Sequence, residues 1–165
     1  MAKKSPSRSA DKENAESAST ELDATIAGQI EAINKSQAVI EFEMDGTILR
    51  ANDNFLNAMG YTLDEVEGRH HSIFVDEATR TSAEYRDFWA QLNRGEFLAD
   101  EYRRIAKDGS DVWIQATYNP ILDDDGKPFR VIKYASPLTY VESPARYSNK
   151  NKIIDYLDME EYERF

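Results

Sequence analysis

The sequence predicts an α+β domain: one antiparallel sheet with short helices on one face, plus a further helix flanking it on the N-terminal side. Three observations lead there. Segments with strand-like alternation stand at both ends of the central region, and segments with helical spacing lie between them. Turn signals part the strands, at Asp45-Gly46, at Lys107-Asp108-Gly109-Ser110 and at Asp123-Asp124-Asp125-Gly126-Lys127-Pro128. The 165 residues, less their polar ends, make one domain of ordinary size.

Taken in order, residues 1–18 are rich in Ser, Lys, Glu and Ala with no large apolar side chain after Met1, and are expected to be a disordered polar tail. Residues 19–34 read as an amphipathic helix. Thr20 and Asp23 resemble a capping box, and Leu22, Ile26, Ile30 and Ile33 fall on one face. That face either packs on its own domain or makes a homodimer. Residues 35–136 form the main domain. Ala38–Met44 alternates as a strand, the Asp45-Gly46 turn follows, and Thr47–Ala51 returns. Asn52-Asp53-Asn54 offers a helix cap, with Phe55, Leu56 and Met59 inside and Gly60 as the stop. Thr62 with Glu65 forms a capping box, and Thr81 with Glu84 another, opening a longer helix that carries Tyr85, Phe88, Trp89 and Leu92 and ends at Gly95. Phe97–Ala106, Asp111–Leu122 and Phe129–Ala135 are the remaining strands. On the middle one, Val112, Ile114, Ala116 and Tyr118 alternate with Trp113, Gln115, Thr117 and Asn119. Both faces carry bulk, so both are expected to be covered, the second by the N-terminal helix.

Composition narrows the chemistry. With no cysteine there are no disulfides, no thiol catalysis and no Cys-ligated metal. A net charge of −11 disfavours nucleic acid. No stretch is long and apolar enough to insert in a membrane, and Met1–Arg8 lacks a secretory apolar run, so a cytoplasmic location is expected.

Over about residues 34 to 136 the sequence resembles the PAS family. The resemblance is carried by Asp45-Gly46, Ala51-Asn52, Phe55, Met59-Gly60-Tyr61, Gly68, Trp89, Gly95-Glu96, Arg104, Lys107-Asp108-Gly109, Val112-Trp113-Ile114 and Asn119-Pro120-Ile121. The run from Gly68 to Asp76, with Tyr85–Trp89 and Trp113–Asn119, is most similar to the PAS modules of bacterial chemoreceptors, the methyl-accepting chemotaxis proteins. The resemblance implies a five-stranded antiparallel sheet with a small pocket between sheet and helices. It also implies sensing, dimerisation and signal relay in chemotaxis or a related pathway. Two positions depart from the family. His71 stands where light-sensing members carry a reactive cysteine, and Pro137 where many carry the aspartate of an output motif.

The candidate cofactor-binding residues are Asn52, His71, Tyr85, Trp89, Ile114, Ala116 and Tyr118. They would line a flat slot for a flavin, with His71 as the axial ligand if the group were haem, although no cofactor is favoured over a packed interior. His70 and His71, side by side, diverge by about 100° on a helix and do not chelate; the simpler reading is a loop or cap histidine. The three aspartates at 123–125 lack calcium ligands at the matching loop positions, and read as a solvated hairpin turn. No motif of hydrolases, kinases or dinucleotide enzymes is present, so catalysis is not expected. Residues 137–165 form an acidic, aromatic-containing and partly helical extension that docks either on its own sheet or on a partner. The expected function is a stand-alone sensory and adaptor domain for a signalling partner such as a histidine kinase or chemoreceptor. The alternative is a flavin- or haem-dependent redox or gas sensor.

Overall fold

A computed structural model describes residues 8–137, with side chains from residue 17 to residue 136. The readings placed on the C-terminal extension beyond Pro137 lie outside the described residues. Helix α1 spans Arg8–Ser36. It therefore starts well before Thr20 and takes in residues read as a disordered tail. The Ala, Glu and Lys content of that segment favours helix, so a continuous helix needs no large apolar side chain to start it.

Strands β1 (Ala38–Phe42) and β2 (Ile48–Ala51) form the first hairpin. Four short helices follow: α2 (Asp53–Met59), α3 (Leu63–Val66), α4 (Glu77–Thr81) and α5 (Ala83–Asn93), with a 3₁₀ turn over His71–Phe74 between α3 and α4. Strands β3 (Leu98–Ile105), β4 (Asp111–Leu122) and β5 (Pro128–Pro137) close the domain. All pairings are antiparallel in the order β2-β1-β5-β4-β3, so the first and last strands pair at the centre of one sheet.

Local chemistry explains most boundaries. The Asn52 side chain accepts from Phe55 N at the start of α2, and Gly60, left-handed at φ +73°, ends it. Thr62 and Glu65 form the expected capping box of α3. The longest central helix is capped differently from expectation. Ser82 Oγ accepts from Tyr85 N, while Thr81 closes the unforeseen helix α4. The capping-box pattern at Thr81 was one residue off because Ser82 can serve both helices, ending one and starting the next.

The inner face of the sheet and the helices enclose one core, including Ile40, Phe42, Ile48, Phe55, Met59, Phe74, Leu92, Ile114 and Val131. Full burial of each such side chain is worth about 1.5–3 kcal/mol. The β4 alternation is as read: Ile114, Ala116 and Tyr118 are buried, and Trp113, Gln115, Thr117 and Asn119 are half-buried on the other face. The covering helix, however, is elsewhere. Every residue of α1 from 17 to 36 is exposed. Its C-terminal end is held toward α2, where Asn52 and Asn54 Nδ2 donate to Asn34 O at 3.3 and 3.0 Å, and polar ties at one end do not lay its apolar stripe on the sheet. Among the described residues no helix is long and apolar enough to cross a membrane.

Candidate functional site

The site is built by the first hairpin. Gly46 has φ +88°, and its carbonyl accepts from His71 N at 2.8 Å. Ile48 N donates to Arg69 O and Gly68 N donates to Ile48 O, at 2.8 and 2.9 Å. These bonds strap the segment 68–71 onto the hairpin and drive His71 inward. His70 remains at the rim as the cap of the 3₁₀ turn, with Nδ1 accepting from Ser72 N at 3.0 Å. The cap reading of a histidine holds for His70. His71, with no exposed surface, is a core residue.

Around His71 the elements converge. Tyr85 and Trp89 come from α5, and Tyr118 from β4. His71 Nδ1 lies 2.8 Å from Tyr85 Oη and Nε2 lies 3.1 Å from Tyr118 Oη. Arg104 Nη2 donates to that same Tyr118 Oη at 2.9 Å. One set of protons satisfies the chain: Arg104 donates to Tyr118, Tyr118 donates to His71 Nε2, and the His71 Nδ1–H donates to Tyr85. The imidazole is thus neutral, as burial and then the nearby Arg104, Lys133 and His70 charges require, since together they hold its pKa well below 6.5. Burial likewise raises the Tyr118 and Tyr85 hydroxyls, so both keep their protons. Phe88 packs edge-on to Tyr118 with ring centroids 4.8 Å apart, and Tyr102 does so at 5.4 Å.

Of the predicted site residues, His71, Tyr85, Trp89 and Tyr118 come together, and Ile114 and Ala116 line the same inner face. Asn52 stands apart. Its Oδ1 accepts from Val39 N and Phe55 N, and its Nδ2 donates to Gln37 O, so the side chain is spent on joining β1 to α2. Two residues were missed as site members: Arg104 and Lys133, both buried on the inner face. Strand parity points to them, because Lys133 shares its side of β5 with Val131 and Ala135.

The arrangement does not fit haem or flavin. An axial bond to His71 breaks one of its two hydrogen bonds, and a flat ring system has to displace aromatic rings already in mutual contact. No group of three or more metal-ligating side chains occurs among the described residues. Asp123 caps its own turn, Oδ1 accepting from Asp125 N and Lys127 N at 3.0 and 2.8 Å, as expected of a hairpin turn.

The buried imidazole makes stability depend on pH. In the unfolded chain His71 binds a proton near pH 6.5, and in the folded chain only at lower pH. Its contribution is therefore complete above about pH 6.5 and is lost as pH falls, with a slope of up to about 1.4 kcal/mol per pH unit. Urea titrations between pH 7 and pH 5.5 are expected to show a falling midpoint, and His71→Gln should flatten that fall. An equal slope in the variant would remove His71 as its source.

Comparison with known proteins agrees with this architecture. Residues 48–135 match the family described as PAS fold. The chain is 42% identical over 111 residues to the biofilm dispersion protein BdlA of Pseudomonas aeruginosa, covering 67% of this chain and 27% of that protein. It is 30% identical over 80 residues to the aerotaxis receptor of Escherichia coli, covering 48% of this chain and 16% of the receptor. It therefore spans about a quarter or less of the length of these relatives. Among solved structures, a PAS domain from Colwellia psychrerythraea superposes with TM-score 0.60 at 18% identity, covering 70% of this chain and 98% of that one. A light-oxygen-voltage domain studied with a flavin analogue gives 0.59 at 23% identity, covering 68% and 85%. The strand order, the short helices over the inner face and the match through more than half of the chain lead to one assignment: this chain belongs to the PAS family of sensory domains found in signalling and chemotaxis proteins.

Proposed function

We propose that this PAS domain works as a docking module, binding a signalling partner such as a chemoreceptor or histidine kinase. The observation that carries this reading is the α1 stripe: Leu22, Ile26, Ile30 and Ile33 lie on one face and are 60, 45, 55 and 37% exposed. Four large aliphatic side chains in line on a helix that its own domain leaves open make an interaction surface rather than scattered surface apolars. The outer sheet face offers a second surface, with half-buried Trp113, Thr117, Ile132 and Tyr134 beside a shallow depression lined by Gln37, Gln115 and Ser136. Self-association through the same stripe gives a homodimer. Relatives named for biofilm dispersion and aerotaxis support a signalling setting.

The double variant Ile26→Asp/Ile30→Asp tests the reading. Both positions are exposed, so the fold should survive, with a cost within about 0.5 kcal/mol per site. Light scattering and two-hybrid assays against chemoreceptors and histidine kinases should show interaction for the parent chain and at least a tenfold loss for the variant. A folded variant that associates as well as the parent would overturn the proposal.

A further inference from the structure

Among the described residues, the large apolar side chains that stay exposed lie in two places. Four form the α1 stripe, and the other three, Phe97, Leu122 and Phe129, are 69, 50 and 44% exposed. These three come from different segments that the fold brings to one end of the sheet. Leu122 closes β4 and pairs with Pro128, the first residue of β5, and Phe129 comes next. A Cβ on Gly95 would lie 3.5 Å from Pro128 Cγ and 3.8 Å from Leu122 Cδ2, which seats the loop after α5 against this hairpin. Phe97 is two residues further on, so its Cα lies within about 7 Å of that of Gly95. Apolar side chains scattered singly over a surface are ordinary, but a group gathered in one place marks an interaction site.

The apolar side chains make the surface, and the charges around them select its occupant. The turn beside Leu122 carries Asp123, Asp124 and Asp125, and Glu96 precedes Phe97. Asn93 Nδ2 donates to Met44 O at 2.9 Å, which holds the first hairpin turn, with Glu43 and Asp45, at the same end. Against these six carboxylates stand three cations, Arg94, Lys127 and Arg130. Arg94 is already paired with Glu96, and Arg130 Cζ lies 6.0 Å from the Phe129 ring centroid. Among the described residues Asp124 and Asp125 have no cation within ion-pair distance. A second copy of this chain, at net charge −11, brings like charge to this rim. So do residues 138–165, with six acids and four bases, and an anionic membrane surface is repelled for the same reason.

We infer that this end of the sheet is a further docking surface, for a basic amphipathic segment of a partner protein. The segment lays its apolar side chains on Phe97, Leu122 and Phe129 and its lysines or arginines against Asp124 and Asp125. The surface is separate from the α1 stripe. Strand β5 starts at the patch and ends where Ala135 pairs with Ala38, next to the C-terminal end of α1. The length of the strand, about 30 Å, therefore separates the patch from the foot of α1. Docking surfaces at opposite ends of one sheet let the domain hold two proteins at once, which a single stripe does not.

The test uses the full chain at pH 7, with a short Leu/Lys amphipathic peptide as probe and its Leu/Glu counterpart as control. The Leu/Lys peptide should bind saturably in titration calorimetry and move the backbone amide resonances of residues 95–97 and 122–129. Phe97→Ser/Phe129→Ser alters exposed positions only, so it should keep the parent Tm and weaken binding at least about tenfold. Asp124→Lys/Asp125→Lys should weaken binding as well, and so should added salt. Ile26→Asp/Ile30→Asp should bind the peptide as the parent does, which tells failure here apart from failure of docking through α1. No binding, equal binding of the Leu/Glu peptide, resonance movements confined to other residues, or unchanged affinity in the Phe97→Ser/Phe129→Ser chain would each overturn the inference.

Discussion

Gly46→Ala is expected to lower stability by about 3 kcal/mol, a Tm fall of roughly 10–20 °C. Two effects add. A residue with a side chain costs about 1–2 kcal/mol in the left-handed region that Gly46 occupies at φ +88°. An added Cβ also lies 2.6 Å from His70 Nε2 and 2.8 Å from Trp89 Cζ2, so ring atoms of the site have to move. Crowding of that kind costs about 1–3 kcal/mol. Gly126→Ala separates the two effects. Gly126 has φ +78° with nothing near its missing Cβ, so only the conformational cost, about 1–2 kcal/mol, is expected there. Urea unfolding of both variants provides the comparison. Equal losses would show that the hairpin does not press on the site. Because Gly46 O also holds His71 N, Gly46→Ala should disturb the His71 ring resonances, and Gly126→Ala should leave them in place.

Tyr118 is the second position with a large expected effect. Its ring is fully buried between Phe88, Tyr102 and Phe42, and its hydroxyl joins Arg104 to His71. Tyr118→Phe keeps the ring and removes the joint, leaving Arg104 Nη2 and His71 Nε2 without their partner, at a cost of about 1–3 kcal/mol. Tyr118→Ala also removes the ring, and truncations of this kind cost about 3–5 kcal/mol. The total approaches the whole stability of a typical domain, about 5–15 kcal/mol. Chemical denaturation should rank the chains parent, Phe, Ala. A Phe variant as stable as the parent would show that the hydroxyl carries no structural load.

Much of the fold was legible because its signals are local. The Asp45-Gly46 turn, the Asn52 cap, the Gly60 stop and the Thr62–Glu65 capping box each depend on residues within a few positions, and each is present in the structure. The cap at Ser82 was misplaced because a short extra helix ended where the longer one began. Helix α1 starts earlier than its large apolar residues mark, because Ala, Glu and Lys favour helix without them. Cover for the outer sheet face was expected from bulk on β4, but bulk on a face does not say which segment covers it, and α1 is exposed throughout residues 17–36.

The site divides along the same line. His71, Tyr85, Trp89 and Tyr118, far apart along the chain, were read as candidates for one slot, and they do meet. By itself the sequence determined the periodicities, turns and caps, and hence an antiparallel sheet under short helices in the PAS pattern. Tertiary structure alone decided that Lys133 faces the Tyr118 ring across the β4–β5 register, that Arg104 reaches the Tyr118 hydroxyl from β3, and that among the described residues no acid joins them. The physical reason is range. Helix and turn preferences are settled within a few residues, whereas the charge balance of an interior depends on which distant strands pair and in what register.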